Sequence, residues 1–423
     1  MRTIAPKITS LSLPELIRYD KYVLPNGVAV YIFNDPKQEV FKADIIFNAG
    51  IYYQPQPLVA SATVNMLNEG TQRHSSAELA EIFDYYGASV DCNAAMRKSE
   101  VSLFSLNKYA PETIKTLGEM LLESTLPETE LSLYLNNKKQ AYLVDKEKTS
   151  WTAQKLFLKL LFGQEHPYSR SVEEKDYDSV SRNMLLDFFK ERYNAANCSV
   201  VLSGNVTESI MKQLSEMLMS LPVATDVPTI NELTFFPSPA GSYVADSNDP
   251  NKVQCSLRVG KTGVGINDED YAGFQLLNTV LGGYFGSRLM SNIREEKGYT
   301  YGIYSFNANI PGAAYWCVSS DVNKEYAEAT NEEIRKEIRL LQTELIEDEE
   351  LEMVKNYFYG ELLRELDGVF AQSDSFKNKL VHGLDNTFYL SLIARISDCN
   401  AKQLRELANK YLLTDEMYFV MGK

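Results

Sequence analysis

The sequence predicts an α+β protein of two related halves, each a mainly antiparallel sheet with helices packed on one face. Two observations carry this. Short β-rich runs are interleaved with amphipathic helical stretches, and one long-period signature occurs twice. The signature is a basic residue and tyrosine, a short polar loop, then an apolar run closed by glycine. It reads RYNAANCSVVLSG at 192–204 and KYLLTDEMYFVMG at 410–422, with the same spacing from tyrosine to glycine. A weaker echo sets NMLNEG at 65–70 against NTVLGG at 278–283. A joint at 221–239 contains four prolines and reads as a semi-rigid linker. It divides an N-terminal half, 1–220, from a C-terminal half, 240–423.

The elements follow from local pattern. Residues 28–33 (VAVYIF) and 41–47 (FKADIIF) are β-rich, and Asn26-Gly27 before the first is a turn signal. Ser75 to Glu78 has the capping-box pattern. Leu79, Ile82, Phe83 and Tyr86 then share a helical face, and Gly87 stops the helix. Pro111 opens another helix at its first turn, with Ile114, Leu117 and Leu121 turned inward. Residues 348–366 form a long amphipathic helix.

Composition narrows the function classes. The chain has 423 residues, enough for two cores. Its net charge of −15 argues against nucleic acid as a partner, which needs a basic face. That acidity fits solubility, or a negatively lined surface that attracts cationic peptides. No apolar run reaches the roughly 20 residues of a membrane span. The first residues lack a secretory h-region, so the cytoplasm is expected, or the periplasm where a leader has been removed. Cys92, Cys198, Cys255, Cys317 and Cys399 are scattered and never in C-x-x-C. They read as reduced, buried thiols with no metal role.

Segment 58–71, LVASATVNMLNEGT, resembles the zinc-binding helix of the insulinase/pitrilysin-type peptidases. There the motif is H-x-x-E-H followed by M-L-x-x-G-T. The tail stands here as MLNEGT at 66–71, but the motif positions read SATVN at 61–65. The resemblance also covers YVLPNG at 22–27, HPYSRSV at 166–172, 192–204 and 294–305, so it spans nearly the whole chain. It implies two halves closing like a clamshell, and dimers of such chains, as in the mitochondrial processing peptidases and bacterial two-chain peptidases.

Zinc hydrolysis needs three protein ligands, an open position and a base. At the ligand positions stand Ser61 and Asn65, and at the base position Val64, which cannot move a proton. The family's third ligand falls within 137–145, where Asp145 is the only carboxylate. His74, His166 and His382 are isolated. The chain is therefore expected to hold no metal or cofactor itself.

The second catalytic element resembles the family's intact. A Gly-rich turn with Gly282, Gly283 and Gly286 leads into SNIREEKGYTYGIYS at 291–305, and Arg294 and Tyr301 match the family's Arg/Tyr pair in spacing. The resemblance implies that both hydrogen-bond the substrate carbonyl as it becomes an oxyanion. Arg offers a fixed charge with several donors, and Tyr a neutral one. The competing reading is a surface ion pair for Arg294 and a core position for Tyr301.

Two patterns mislead. Gly260-Lys261-Thr262 resembles the end of a phosphate loop, but the opening glycine is replaced by Cys255, and Lys261 is expected in a turn. Segment 282–286 has the wrong spacing for a dinucleotide fingerprint. The expected function is the non-zinc subunit of a heterodimeric metallopeptidase, whose partner is a homologous H-x-x-E-H subunit carrying zinc and whose substrates are peptides. The alternatives are a catalytically inactive scaffold subunit and a peptide-binding homodimer.

Overall fold

The structure, a computed structural model, describes residues 15–224, 233–246 and 252–423. Residues 225–232 of the proline-rich joint lie outside them. The protein is α+β, with two sheets and helices as expected. The strands are β1 Asp20–Val23, β2 Ala29–Asn34, β3 Val40–Phe47, β4 Ser89–Ala94, β5 Ser99–Leu106, β6 Cys198–Gly204, β7 Gly241–Ala245, β8 Gln254–Thr262, β9 Thr300–Ile310, β10 Ala313–Asn323 and β11 Tyr418–Gly422.

The first sheet has the order β1-β2-β6-β3-β5-β4. Its pairings are antiparallel except β2 with β6. The turn between β1 and β2 is the one Asn26-Gly27 signals: Gly27 takes φ +92, and its N–H donates to the Leu24 carbonyl at 2.8 Å. The period-2 pattern of β3 buries Phe41, Ala43, Ile45 and Phe47 completely. They share a core with Val64 of the helix Val59–Met66 and Ile114 and Leu117 of the helix Ala110–Glu123. Each of the Phe, Ile, Leu and Val side chains contributes about 1.5–3 kcal/mol by leaving water. The helix Ser76–Tyr86 carries the full capping box from Ser75 to Glu78 and ends on Gly87 at φ +60.

The second sheet runs β7-β11-β8-β10-β9, which leaves β9 at an edge. Its helical side is built around Trp316, Phe274, Ile338, Leu404 and Phe419. The Trp316 indole N–H donates to Asn278 Oδ1 at 2.8 Å, and the Asn278 amide donates to the Ser305 carbonyl at 3.1 Å. These two bonds fix the end of the helix Tyr271–Asn278 against β9. One expectation fails here. Lys261 lies inside β8, not in a turn, and pairs with Glu416. Strand β8 runs three residues past the Val259 at which the apolar pattern stops, because a ladder position tolerates a lysine whose head reaches a carboxylate.

The duplicated signature is one supersecondary unit. The helix Arg182–Arg192, a short 3-10 turn at Ala195–Asn197 and β6 correspond to the helix Ala401–Tyr411, a turn at Thr414–Glu416 and β11. The chain divides into two compact units, one holding Val259–Asn309 and Ala313–Phe419, the other the described residues from Ile17 to Arg258 with Ile310–Gly312 and Val420–Lys423.

Candidate functional site

The helix Val59–Met66 starts without a usual cap. Leu58 takes φ +76, a left-handed conformation uncommon for leucine, and the Gln54 side-chain oxygen accepts the Ala60 N–H at 3.1 Å. Ser61 and Asn65, four residues apart, form its half-exposed face, where zinc ligands would stand. Both turn their polar groups back on the helix. Ser61 Oγ donates to the Leu58 carbonyl at 3.1 Å, and the Asn65 amide donates to the Ser61 carbonyl at 2.8 Å. Val64 is completely buried in the apolar core. On the helix Glu128–Asp145, burial pushes the Tyr134 phenol up against a hydrogen bond with Ser61 that lowers it. Asp145 at the end of that helix pairs with Lys148 at 2.7 Å. These residues do not fit zinc: they offer a hydroxyl and an amide already bonded, and no base. Among the described residues no group of three His, Cys, Asp or Glu could hold a metal ion.

Arg294 and Tyr301 sit in the other unit. After the helix Tyr271–Asn278 the chain makes a π-helical turn, Thr279–Gly283, then the Gly-rich segment, then a second π-helical turn, Met290–Glu296. The wide turn shows in the bond from the Lys297 N–H to the Asn292 carbonyl, 3.1 Å across five residues. Such bulges recur at functional sites because they re-aim side chains. Gly298, at φ +67, reverses the chain into β9. The start of β9 is fixed by the Thr300 hydroxyl, which donates to the Asp321 carbonyl at 2.7 Å.

The Arg294 side chain is 34% exposed, and its nearest carboxylate, Glu295, is 4.0 Å away. Among the described residues its guanidinium makes no hydrogen bond, and it lies over the face of the Phe285 ring, 4.5 Å to the centroid. Tyr301 is 100% exposed, so it is not a core residue. Gly282 is required by packing: a Cβ there would lie 2.7 Å from Ser305 Oγ and 2.8 Å from the Ser305 nitrogen. Gly286 passes the Tyr284 ring, which a Cβ would meet at 2.8 Å. Arg288 is held by Glu350 through two bonds, 2.9 and 2.7 Å.

The three histidines are separated. His74 Nδ1 lies 2.9 Å from Glu119 Oε2. His166 is buried among Tyr52, Phe162, Tyr168 and Phe235. His382 lies near the end of the helix Gly368–Leu380. Phe285 is the residue sequence reasoning missed. An apolar side chain between glycines, followed by a lone arginine nine residues on, gave a weak signal.

Residues 179–358 match the family model described as the peptidase M16 inactive domain. That stretch resembles the peptidase M16, or insulinase-type, family, and the relatives below extend the likeness over most of the chain. The chain is 22% identical over 401 residues to a Bacillus subtilis protein named uncharacterized zinc protease YmxG, covering 93% of this chain and 96% of that one. It is 20% identical over 409 residues to the probable mitochondrial-processing peptidase subunit beta of Arabidopsis thaliana, covering 92% and 75%. Its fold is that of the crystal structure of a peptidase M16 inactive domain from Pseudomonas fluorescens, with a TM-score of 0.83, 23% identity and coverage of 96% and 97%. The chain is thus similar to M16 peptidases, and at the zinc-motif positions it carries Ser61, Val64 and Asn65. Among its described residues no helix is long and apolar enough to cross a membrane.

Proposed function

We propose that this chain is the zinc-free subunit of a two-chain M16 peptidase. It supplies Arg294 and Tyr301 to a peptide-cleaving site whose metal and base come from a homologous H-x-x-E-H subunit. The observation that carries this reading is the state of Arg294: a half-exposed guanidinium with no hydrogen-bond acceptor among the described residues, seven residues before a fully exposed Tyr301. A surface arginine kept for solubility or stability takes a carboxylate, as Arg288 does with Glu350. Donors left open suit an acceptor that arrives with the substrate. As a scissile carbonyl gains negative charge, the guanidinium and the phenol O–H would each donate to its oxygen. That Arabidopsis relative's name, a processing-peptidase subunit, supports work in pairs. None of the five cysteines is in a disulfide, which fits a reducing compartment.

The test is cleavage of a quenched peptide library by the chain alone, then mixed with the H-x-x-E-H homologue from the same organism. Turnover is expected only in the mixture. A mixture that forms no complex and cleaves nothing would overturn the reading in favour of a scaffold protein or a peptide-binding homodimer.

A further inference from the structure

A donor that acts on a developing oxyanion must be held in place before the substrate arrives. Arginine carries a large rotamer entropy, so an unanchored guanidinium spends little time in one pose. Here no hydrogen bond among the described residues anchors it. The Phe285 ring does, with its centroid 4.5 Å from the guanidinium carbon. Phe285 is 62% exposed and belongs to neither core, so burial does not explain a phenylalanine there.

The segment that presents the ring is fixed on both sides. Before it, the Tyr284 ring packs against the Tyr357 ring, with centroids 4.9 Å apart, and Gly282 lies against the backbone of β9. After it, Arg288 is clamped by Glu350. The choice of an aromatic partner has a chemical consequence. A carboxylate would occupy two of the five N–H donors and cancel the charge. The face of a ring attracts the cation and leaves every donor available.

We infer that Phe285 is the positioning residue of Arg294: it holds the guanidinium by a cation–π contact in a pose that keeps all its donors directed to substrate. This rests on the function proposed above, and the experiment separates the two. In the first arm the chain alone is treated with phenylglyoxal, and modification of Arg294 is followed by peptide mass spectrometry. Phe285→Leu is expected to speed modification about threefold or more, and Phe285→Tyr to leave it as in the wild type. In the second arm the same variants are mixed with the H-x-x-E-H homologue. Phe285→Leu is expected to lower kcat roughly three- to tenfold with KM within about twofold, and Phe285→Tyr to restore it. Added to Arg294→Ala, Phe285→Leu should cause no further loss. Unchanged labelling, unchanged kcat, or additive losses with Arg294→Ala would each overturn the positioning role. If the wild-type mixture is inactive, the proposed function falls, and the labelling arm alone decides whether Phe285 holds Arg294.

Discussion

The helix Val59–Met66 and the element from Asn278 to Ser305 occupy echoing places in the sequence, yet they treat their polar groups in opposite ways. In the first, the two residues facing outward at ligand spacing, Ser61 and Asn65, bond their own helix backbone, and the base position is an aliphatic side chain in the core. In the second, an arginine and a tyrosine face solvent with their donors open, and the backbone under Arg294 is a wide π-helical turn. A region that has lost its chemistry closes on itself. On the function proposed above, the second region keeps donors whose acceptor arrives with the substrate, at some cost in local regularity.

The largest effect that would break this comparison is on turnover. In the active mixture, Arg294→Ala should reduce kcat by about 10²–10³-fold with the complex intact, as loss of an oxyanion donor does. Asn65→Ala removes only a bond to the helix backbone and should leave kcat within about twofold. Equal losses from the two variants, measured with the same peptide, would mean that both regions act in catalysis.

Next in size is a stability effect. Val64 is completely buried in the apolar core, so Val64→Glu takes a carboxylate out of water into a mainly apolar surrounding. The variant should lose roughly 3 kcal/mol or more in urea unfolding at neutral pH. A variant as stable as the wild type would show that the zinc-motif helix has kept room for a base, and that its closure is not structural.

Much of this was legible in the sequence. The capping box at Ser75, the turn at Gly27 and the inward face of Ile114, Leu117 and Leu121 follow from local rules, and all are present. The loss of ligands at Ser61 and Asn65 is a matter of residue type and needs no coordinates. What could not be read is what depends on approach between segments. The Phe285 contact with Arg294 forms across a turn whose π-helical widening no periodicity announces. The pairing of Lys261 with Glu416 joins residues far apart in the chain, so the strand ran past the end of its apolar pattern.

The smallest expected effect concerns what lies behind each region. Val64 and its neighbours give the first helix a mainly apolar backing. The second element is backed by the helix Ala327–Thr343, where the buried Asn292 amide donates to Glu337 at 2.6 Å and to Glu333 at 2.9 Å. Burial pushes the Glu337 carboxyl up. The Asn292 bond and the charges of Arg288 and Lys336 offset only part of that rise, and Glu333 adds to it. The sign follows: the folded chain holds this proton more tightly than the unfolded one. The contribution to stability is fully present below the unfolded pKa and is lost as pH rises through the folded one. Glu337→Gln keeps the acceptor and removes the titration. Its thermal midpoint should match the wild type near pH ~4 and exceed it slightly near pH ~7. A wild type that gains on the variant as pH rises would mean that attraction to Arg288 outweighs burial, so that the polar backing of Arg294 stabilises the fold at neutral pH.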